Sequence, residues 1–535
     1  MTIRRAAGAK RPSAPRGQGR RAPWSTTRLT NDEKPVAPEG ATREATEQLL
    51  LPLDDFLARD RAPRIPRHER VFCNRNLRMS NIAWVGFDMD YTLAIYNQEE
   101  MDRLSIDATI AKLIVRGYPE LIRDVKVPID FAVRGLLIDK RFGHVLKMDR
   151  YKNVNKGFHG FRELSKDELR ALYHTKKVRP ATPRYHWIDT LYALSEAVTY
   201  AALVHTLEER GYAVDYAKLF TDIRECIDEA HRDGTILDAI LADLPRFVLK
   251  DVKLAPMLHK LRSSGKRLFL LTNSRWSYTE RMMTYLLGGS MSEYPTWRNF
   301  FDVVIVAATK PAFFQERRPL LEHENGRTRP AAFPLERGKV YEGGNLLELE
   351  RAMGVTGDQV LYVGDHIYGD ILRSKKDSAW RTAMIIQELE IEVLAHESCK
   401  EDFETLDRLE ELRERHEDDL RFYQARIKDL ARQLEREASE KVEAERLRMK
   451  RAVERIRGML RHIEAESTTI ERRSDARFHA YFGSLMKEGG EQSSFGKQVD
   501  EYACIYTSRV SNLLAYSPAQ TFRSPRDEMA HELGE

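Results

Sequence analysis

The chain has 535 residues, more than one hydrophobic core of about 250–300 residues accommodates, so two or more domains are expected. Its 87 Lys and Arg nearly balance 83 Asp and Glu, a formal +4 that gives no global reason to expect nucleic acid. No apolar run approaches the roughly 20 residues of a membrane helix, no signal-peptide core appears, and Cys73, Cys226, Cys399 and Cys504 show neither metal nor disulfide spacing; a soluble cytoplasmic protein is expected.

In chain order, residues 1–31 are rich in Arg, Pro, Gly and Ser and contain no acid, the composition of a disordered basic tail. A short helix is expected over 44–60, completing an N-terminal region of 1–65. The run Ile82-Ala-Trp-Val-Gly-Phe then reads as a central strand of a parallel sheet and stops at Asp88-Met-Asp90-Tyr-Thr92. The stretch from Thr92 to Thr272 far exceeds one crossover, so a second domain is inserted, over 101–244. Within it, Ile129–Asp139 reads as strands around a turn and 217–242 mostly as helices. Gly157-Phe-His-Gly-Phe161 offers a ring on which a nucleobase could stack, the alternative being a core phenylalanine. A helix over 254–264, stopped by Gly265, returns the chain to the first domain, 66–100 and 245–396. There Arg267-Leu-Phe-Leu-Leu-Thr272-Asn273-Ser274, the strand-like run Asp302 to Lys310-Pro311, and Gln359-Val-Leu-Tyr-Val-Gly364-Asp365 to Asp370 follow. An excursion loop or hairpin is expected over 315–345, a helix over 346–353 and a last strand over 383–387. Strand and helix alternate, giving an α/β fold with a mainly parallel sheet.

From 397 to 475 the chain becomes dense in Glu, Arg, Lys and Leu. Leu406, Leu409, Leu420, Tyr423, Ile427, Leu430 and Leu434, then Met449, Val453, Ile456, Leu460 and Ile463, keep a heptad spacing. Two long helices are expected, folded back as an antiparallel hairpin or paired between subunits, and the seam makes a homo-oligomer the default. Residues 476–535 are apolar enough in part to pack back on the core.

The chemistry sits at the strand ends, where ligands bind in such sheets. A carboxylate can attack phosphorus and form an aspartyl-phosphate, and Asp88 is the candidate nucleophile. Asp90 suits proton transfer to the leaving oxygen and from water. Thr272, with Asn273 and Ser274, can donate to phosphoryl oxygens, and Lys310 supplies a cation. Clustered acids beside a phosphate dianion call for Mg²⁺, with Asp88, Asp90, Asp365 and Asp370 as candidate ligands; Asp370 ligates through water or orients Lys310.

Together these motifs resemble the haloacid dehalogenase-like hydrolase superfamily. Within it, Gly86-Phe-Asp-Met-Asp-Tyr-Thr-Leu-Ala94, Thr272-Asn-Ser, Lys310-Pro-Ala-Phe-Phe314 and Tyr362-Val-Gly-Asp-His-Ile-Tyr-Gly-Asp370 are similar to the cytosolic purine 5′-nucleotidase family that prefers IMP and GMP. The resemblance implies a Rossmann-like parallel sheet with an inserted cap closing over the site and selecting the substrate. It also implies that Arg224, Asp228 and His231 touch the nucleotide. The chain departs from the family at Arg232, where a Tyr is usual, and at Leu237, where a Lys is usual, which implies a shifted base preference. The expected activity is Mg²⁺-dependent hydrolysis of purine nucleoside 5′-monophosphates, with no membrane and no nucleic acid required. Two alternatives stand: a phosphatase of another small phosphomonoester, and an interaction scaffold acting through the helical arm.

Overall fold

The computed structural model describes residues 64–525 apart from 175–177, 325, 356 and 373–377. The tail and the helix expected over 44–60 lie outside the described residues, as does most of the final segment after Arg523. The centre is a ten-stranded sheet. Its six parallel pairings join Ile505–Thr507, Arg381–Ile385, Val360–Gly364, Trp84–Phe87, Arg267–Leu271, Val303–Val306 and Val340–Gly343 in that spatial order. Trp84–Phe87 is fully buried between Val360–Gly364 and Arg267–Leu271, as its unbroken apolar run requires. Both edges are antiparallel: Phe72–Cys73 lies on Ile505–Thr507, and the hairpin Leu320–Glu324/Arg327–Pro330 extends the sheet beyond Val340–Gly343.

Between Tyr96 and Val248 the chain builds a separate five-stranded antiparallel sheet, whose middle strands are Val154–His159, His144–Met148 and Leu136–Asp139. Helices Gln98–Val115, Leu194–Glu209, Tyr216–Arg232 and Thr235–Ala242 accompany it. Only part of Ile129–Asp139 is strand. Ile129–Phe131 is a 3-10 turn after Pro128, and the chain becomes extended at Leu136, after Gly135 turns it at φ 85°. The run from Asp302 likewise stops being strand at Val306, because Ala307 and Thr309 adopt φ 44° and 58°.

Buried polar ties bind the insert to the rest. Lys147 is buried and its Nζ donates to the carbonyls of Phe482, Ser484 and Lys487, with Glu488 3.0 Å away. Ser494 donates to the Asp149 carbonyl, and Phe131 and Phe158 pack edge-on against Tyr481 and Phe482. The segment after the arm thus adds a strand to the central sheet and also clasps the insert.

The arm is an antiparallel hairpin of Lys400–Arg436 and Glu440–Phe478, each about 55 Å long at 1.5 Å per residue. Its seam buries Leu409, Leu430, Val453, Ile456, Ile463 and Ile470, and Arg426–Glu445 and Arg473–Asp402 ion pairs set the register. Folding back satisfies the heptad seam inside one chain, so the seam supplies no reason for assembly between subunits. Excising 405–469 with a short Gly-Ser linker, which keeps the Asp402–Arg473 base, is expected to leave catalysis unchanged and far-UV helicity reduced. Light scattering is expected to give the same subunit count before and after; a drop in count would make the arm an interface.

Candidate active site

Asp88 follows the strand Trp84–Phe87, and its backbone N–H donates to the Val363 carbonyl of the neighbouring strand. Its Oδ1 accepts the Met89 N–H at 2.7 Å and lies 2.9 Å from Lys310 Nζ. Lys310 is buried and also donates to Asp370 Oδ1 at 2.7 Å and to the Tyr362 hydroxyl at 3.0 Å. Asp370 therefore orients Lys310, and it also belongs to the acid cluster: Asp88, Asp365 and Asp370 each bring one carboxylate oxygen within 4.8 Å of the others.

Asp90 is not in that cluster. Its Oδ1 accepts from the Tyr96 hydroxyl at 2.5 Å and its Oδ2 from the Ser274 hydroxyl at 2.6 Å. Thr272 is buried at the end of Arg267–Leu271 and its Oγ1 accepts the Ser274 N–H. Asn273 clamps the turn carrying the lysine: its Nδ2 donates to the Lys310 carbonyl and its Oδ1 accepts the Lys310 N–H. Three strand ends thus meet, through side chain-to-backbone bonds between Asn273 and Lys310 and side-chain contacts from Ser274 to Asp90 and from Lys310 to Asp88, which is how a site is held to fractions of an ångström.

Burial pushes the Asp88 and Asp90 carboxyls above the usual range, opposed at Asp88 by Lys310 and at Asp90 by the Ser274 and Tyr96 hydroxyls. Burial and the Asp370 charge push Asp365 up to about 7. Burial alone would lower Lys310, but Asp370 and Asp88 hold its ammonium well above the ordinary value. One ammonium among three close carboxylates leaves negative charge in excess. The donors are all hard oxygens, so the set fits Mg²⁺ better than a soft metal.

On the insert side, Arg224, Asp228 and His231 occupy one face of Tyr216–Arg232. Arg224 Nε is 3.4 Å from Glu196 Oε2. His231 lies edge-on to Tyr192 at 5.5 Å, and Tyr192 edge-on to Tyr91 at 4.8 Å, so a row of rings runs from the helix Tyr216–Arg232 to the residue after Asp90. Phe161 is not in that row. Its ring packs against Phe131 at 5.1 Å and lies 5.4 Å from that of His205, nine residues or roughly 13 Å along the helix from Glu196. Arg232 bends back to donate to the Asp228 carbonyl, and Leu237 packs on the core.

Sequence reasoning missed Asp189, Tyr192, Glu196 and Arg134. Asp189 follows the strand Tyr185–Ile188 and stands 3.7 Å from His366, next to Asp365; the rule of an acid at a strand end, applied here, finds it. Arg134, a lone charge in the run Phe131-Ala-Val-Arg-Gly-Leu-Leu-Ile138, is buried. It donates to both Glu388 oxygens, at 2.7 and 2.6 Å, and to the Asp365 carbonyl at 3.0 Å.

A sequence profile described as the 5′ nucleotidase family matches residues 71–534. A 5′-nucleotidase domain-containing protein of Dictyostelium discoideum is 29% identical over 471 residues, 86% of this chain and 74% of its own length. The human 5′-nucleotidase domain-containing protein 2 is 28% identical over 476 residues, 86% of this chain and 85% of its own. Among solved structures, CbbY from Rhodobacter sphaeroides in complex with phosphate covers 57% of this chain and 86% of its own at 16% identity, with a TM-score of 0.23, too low to carry an argument.

Proposed function

This chain belongs to the 5′ nucleotidase family, a family of phosphomonoester hydrolases, and on that premise we propose that it hydrolyses purine nucleoside 5′-monophosphates of the IMP and GMP type through an aspartyl-phosphate on Asp88. The observation that carries the reading is the meeting of Asp88 with a buried Lys310 at 2.9 Å beside two further acids. Such a constellation places a nucleophile and a cation where a phosphoryl group can be attacked and its charge offset.

In this reading the Asp88 carboxylate attacks phosphorus, an Asp–O–P bond forms and the bond to the 5′-oxygen breaks. Asp90 gives its proton to that oxygen; the burial that raises its carboxyl suits a donor, and Tyr96 and Ser274 fix its direction. Asp90 then takes a proton from water, whose attack on phosphorus releases phosphate and restores Asp88. Thr272 supplies a hydroxyl to the phosphoryl oxygens, while Lys310 offsets their charge, Asn273 holds Lys310 in place and Ser274 keeps its hydroxyl proton on Asp90. Asp88, Asp365 and Asp370 would hold Mg²⁺, whose charge would offset that of the phosphoryl group.

The insert, residues 101–244, is the part that selects the nucleoside, with Arg224, Asp228, His231 and Tyr192 facing it. The aromatic residue nearest the base is then Tyr192 in place of Phe161, since Tyr192 stands between His231 and the residue after Asp90 and Phe161 does not. Four free thiols suit a reducing cytoplasm, and no helix among the described residues is long and apolar enough to cross a membrane. Phosphate release from IMP, GMP, AMP, UMP and ribose 5-phosphate tests the reading. Purine monophosphates are expected to lead in kcat/KM, EDTA to abolish turnover and added Mg²⁺ to restore it. A clear preference for ribose 5-phosphate would leave a phosphatase and remove the nucleotidase.

A further inference from the structure

The insert helix Leu194–Glu209 carries on its first turn an acid that none of the strand-end motifs involves. Glu196 is 8% exposed, and its Oε2 has no hydrogen-bond partner among the described residues. Arg224 Nε, 3.4 Å away, is also buried without one. His186 completes the group, with Nε2 3.7 Å from Glu196 Oε2 and Nδ1 3.4 Å from Arg224 Nη1.

These separations are longer than charge-assisted hydrogen bonds normally are. Leaving a buried polar group unfilled is costly, and most buried polar groups in native structures have a hydrogen-bond partner. His186 lies on the strand whose end presents Asp189 to His366, so the group lies along the insert from the acid cluster. The Arg224 side chain is 40% exposed, so part of its guanidinium remains accessible while the Nε edge faces Glu196.

We propose that Glu196 is a positioning residue for Arg224: its carboxylate holds the Nε edge so that Nη2, the amino group not engaged by His186, is presented to the nucleoside half of the substrate. This rests on the nucleotidase reading above. A long guanidinium side chain has many rotamers to lose when it is fixed. A carboxylate that fixes it beforehand spares the substrate that ordering, which should show in KM and not in the chemical step.

The test uses the full chain at about pH 8, where Glu196 is ionised although burial pushes its carboxyl up to about 7. Glu196→Gln, Glu196→Asp, Arg224→Gln and the double variant Glu196→Gln/Arg224→Gln are assayed on GMP and on ribose 5-phosphate, which lacks a base. Glu196→Gln is expected to raise KM for GMP about tenfold with kcat within about twofold, and to leave ribose 5-phosphate unchanged. Glu196→Asp is expected to recover part of the loss, and in the Arg224→Gln background Glu196→Gln should cost nothing more. An unchanged KM, an equal loss on ribose 5-phosphate, or full additivity in the double variant overturns the inference while the wild type still hydrolyses GMP. A wild type inactive on GMP but active on ribose 5-phosphate removes the nucleotidase reading, and the inference with it.

Discussion

Asp88→Asn is expected to abolish phosphate release, by roughly 10³–10⁴-fold or more in kcat, because it removes the attacking charge and keeps the shape. The fold should not suffer. Burial raises the Asp88 carboxyl, so folding penalises its charged form relative to its neutral one. The sign follows: a carboxyl raised on folding opposes folding most where it is ionised, at neutral pH and above, and this opposition vanishes as pH falls below its ordinary value. A neutral amide at that position should therefore leave the melting temperature at pH 7.5 unchanged or higher. Asp90→Asn is expected to accumulate phosphoenzyme, since water then lacks its base. Phosphate release by Asp88→Asn near the wild-type rate would exclude the covalent route, and a large loss of melting temperature would mean that Asp88 also holds the sheet together.

Arg134→Met has the other large expected effect, on stability first. The guanidinium is wholly buried and joins the insert to two segments of the central domain, through Glu388 and through the Asp365 carbonyl. Removing one partner of a buried pair costs about 3–5 kcal/mol. The Glu388 side chain is 26% exposed and can partly rehydrate, which puts the expectation at the lower end. Urea unfolding measures this as a fall in midpoint at constant slope. Adding Glu388→Leu should return most of the stability, because the unpaired acid is gone. It should not return activity, since Asp365 still lacks the donor on its carbonyl, and a misplacement of that kind costs on the order of 10–100-fold. Recovery of both by the double variant would mean that Arg134 is only a structural tie.

The central strands were legible for one reason. A strand buried on both faces reads as an unbroken apolar run, and an acid, hydroxyl or lysine at its end stands out against it; Trp84–Phe87, Arg267–Leu271 and Val360–Gly364 follow this pattern. The insert shows this contrast less often, chiefly at Leu136–Asp139 and at Asp189 after Tyr185–Ile188. Its strands are antiparallel and carry charge, as in Val154-Asn-Lys-Gly-Phe-His159, so the weight fell on two phenylalanines beside glycines, and Tyr192 went unnoticed between ordinary apolar neighbours. The heptads of the arm were visible, but a seam does not say which helix fills it. The reversal at Glu437-Ala-Ser439 contains neither Gly nor Pro, so only the changed polarity around it hinted at two helices. Arg134 pairs with a residue 254 positions away, and no local pattern records a partner at that distance.

Phe72 lies beside Tyr506 in the sheet, a contact that closes a loop of more than four hundred residues. During synthesis Phe72–Cys73 emerges before the insert and the arm and finds its neighbour only after both have been made. Until then the edge of Arg381–Ile385 is open, because Ile505–Thr507 is what covers it. An unpaired edge of buried, apolar strand is a template for pairing with other chains. Nascent or truncated chains ending before residue 505 should therefore be the aggregation-prone species, and a chaperone that shields this one edge would protect the whole sheet.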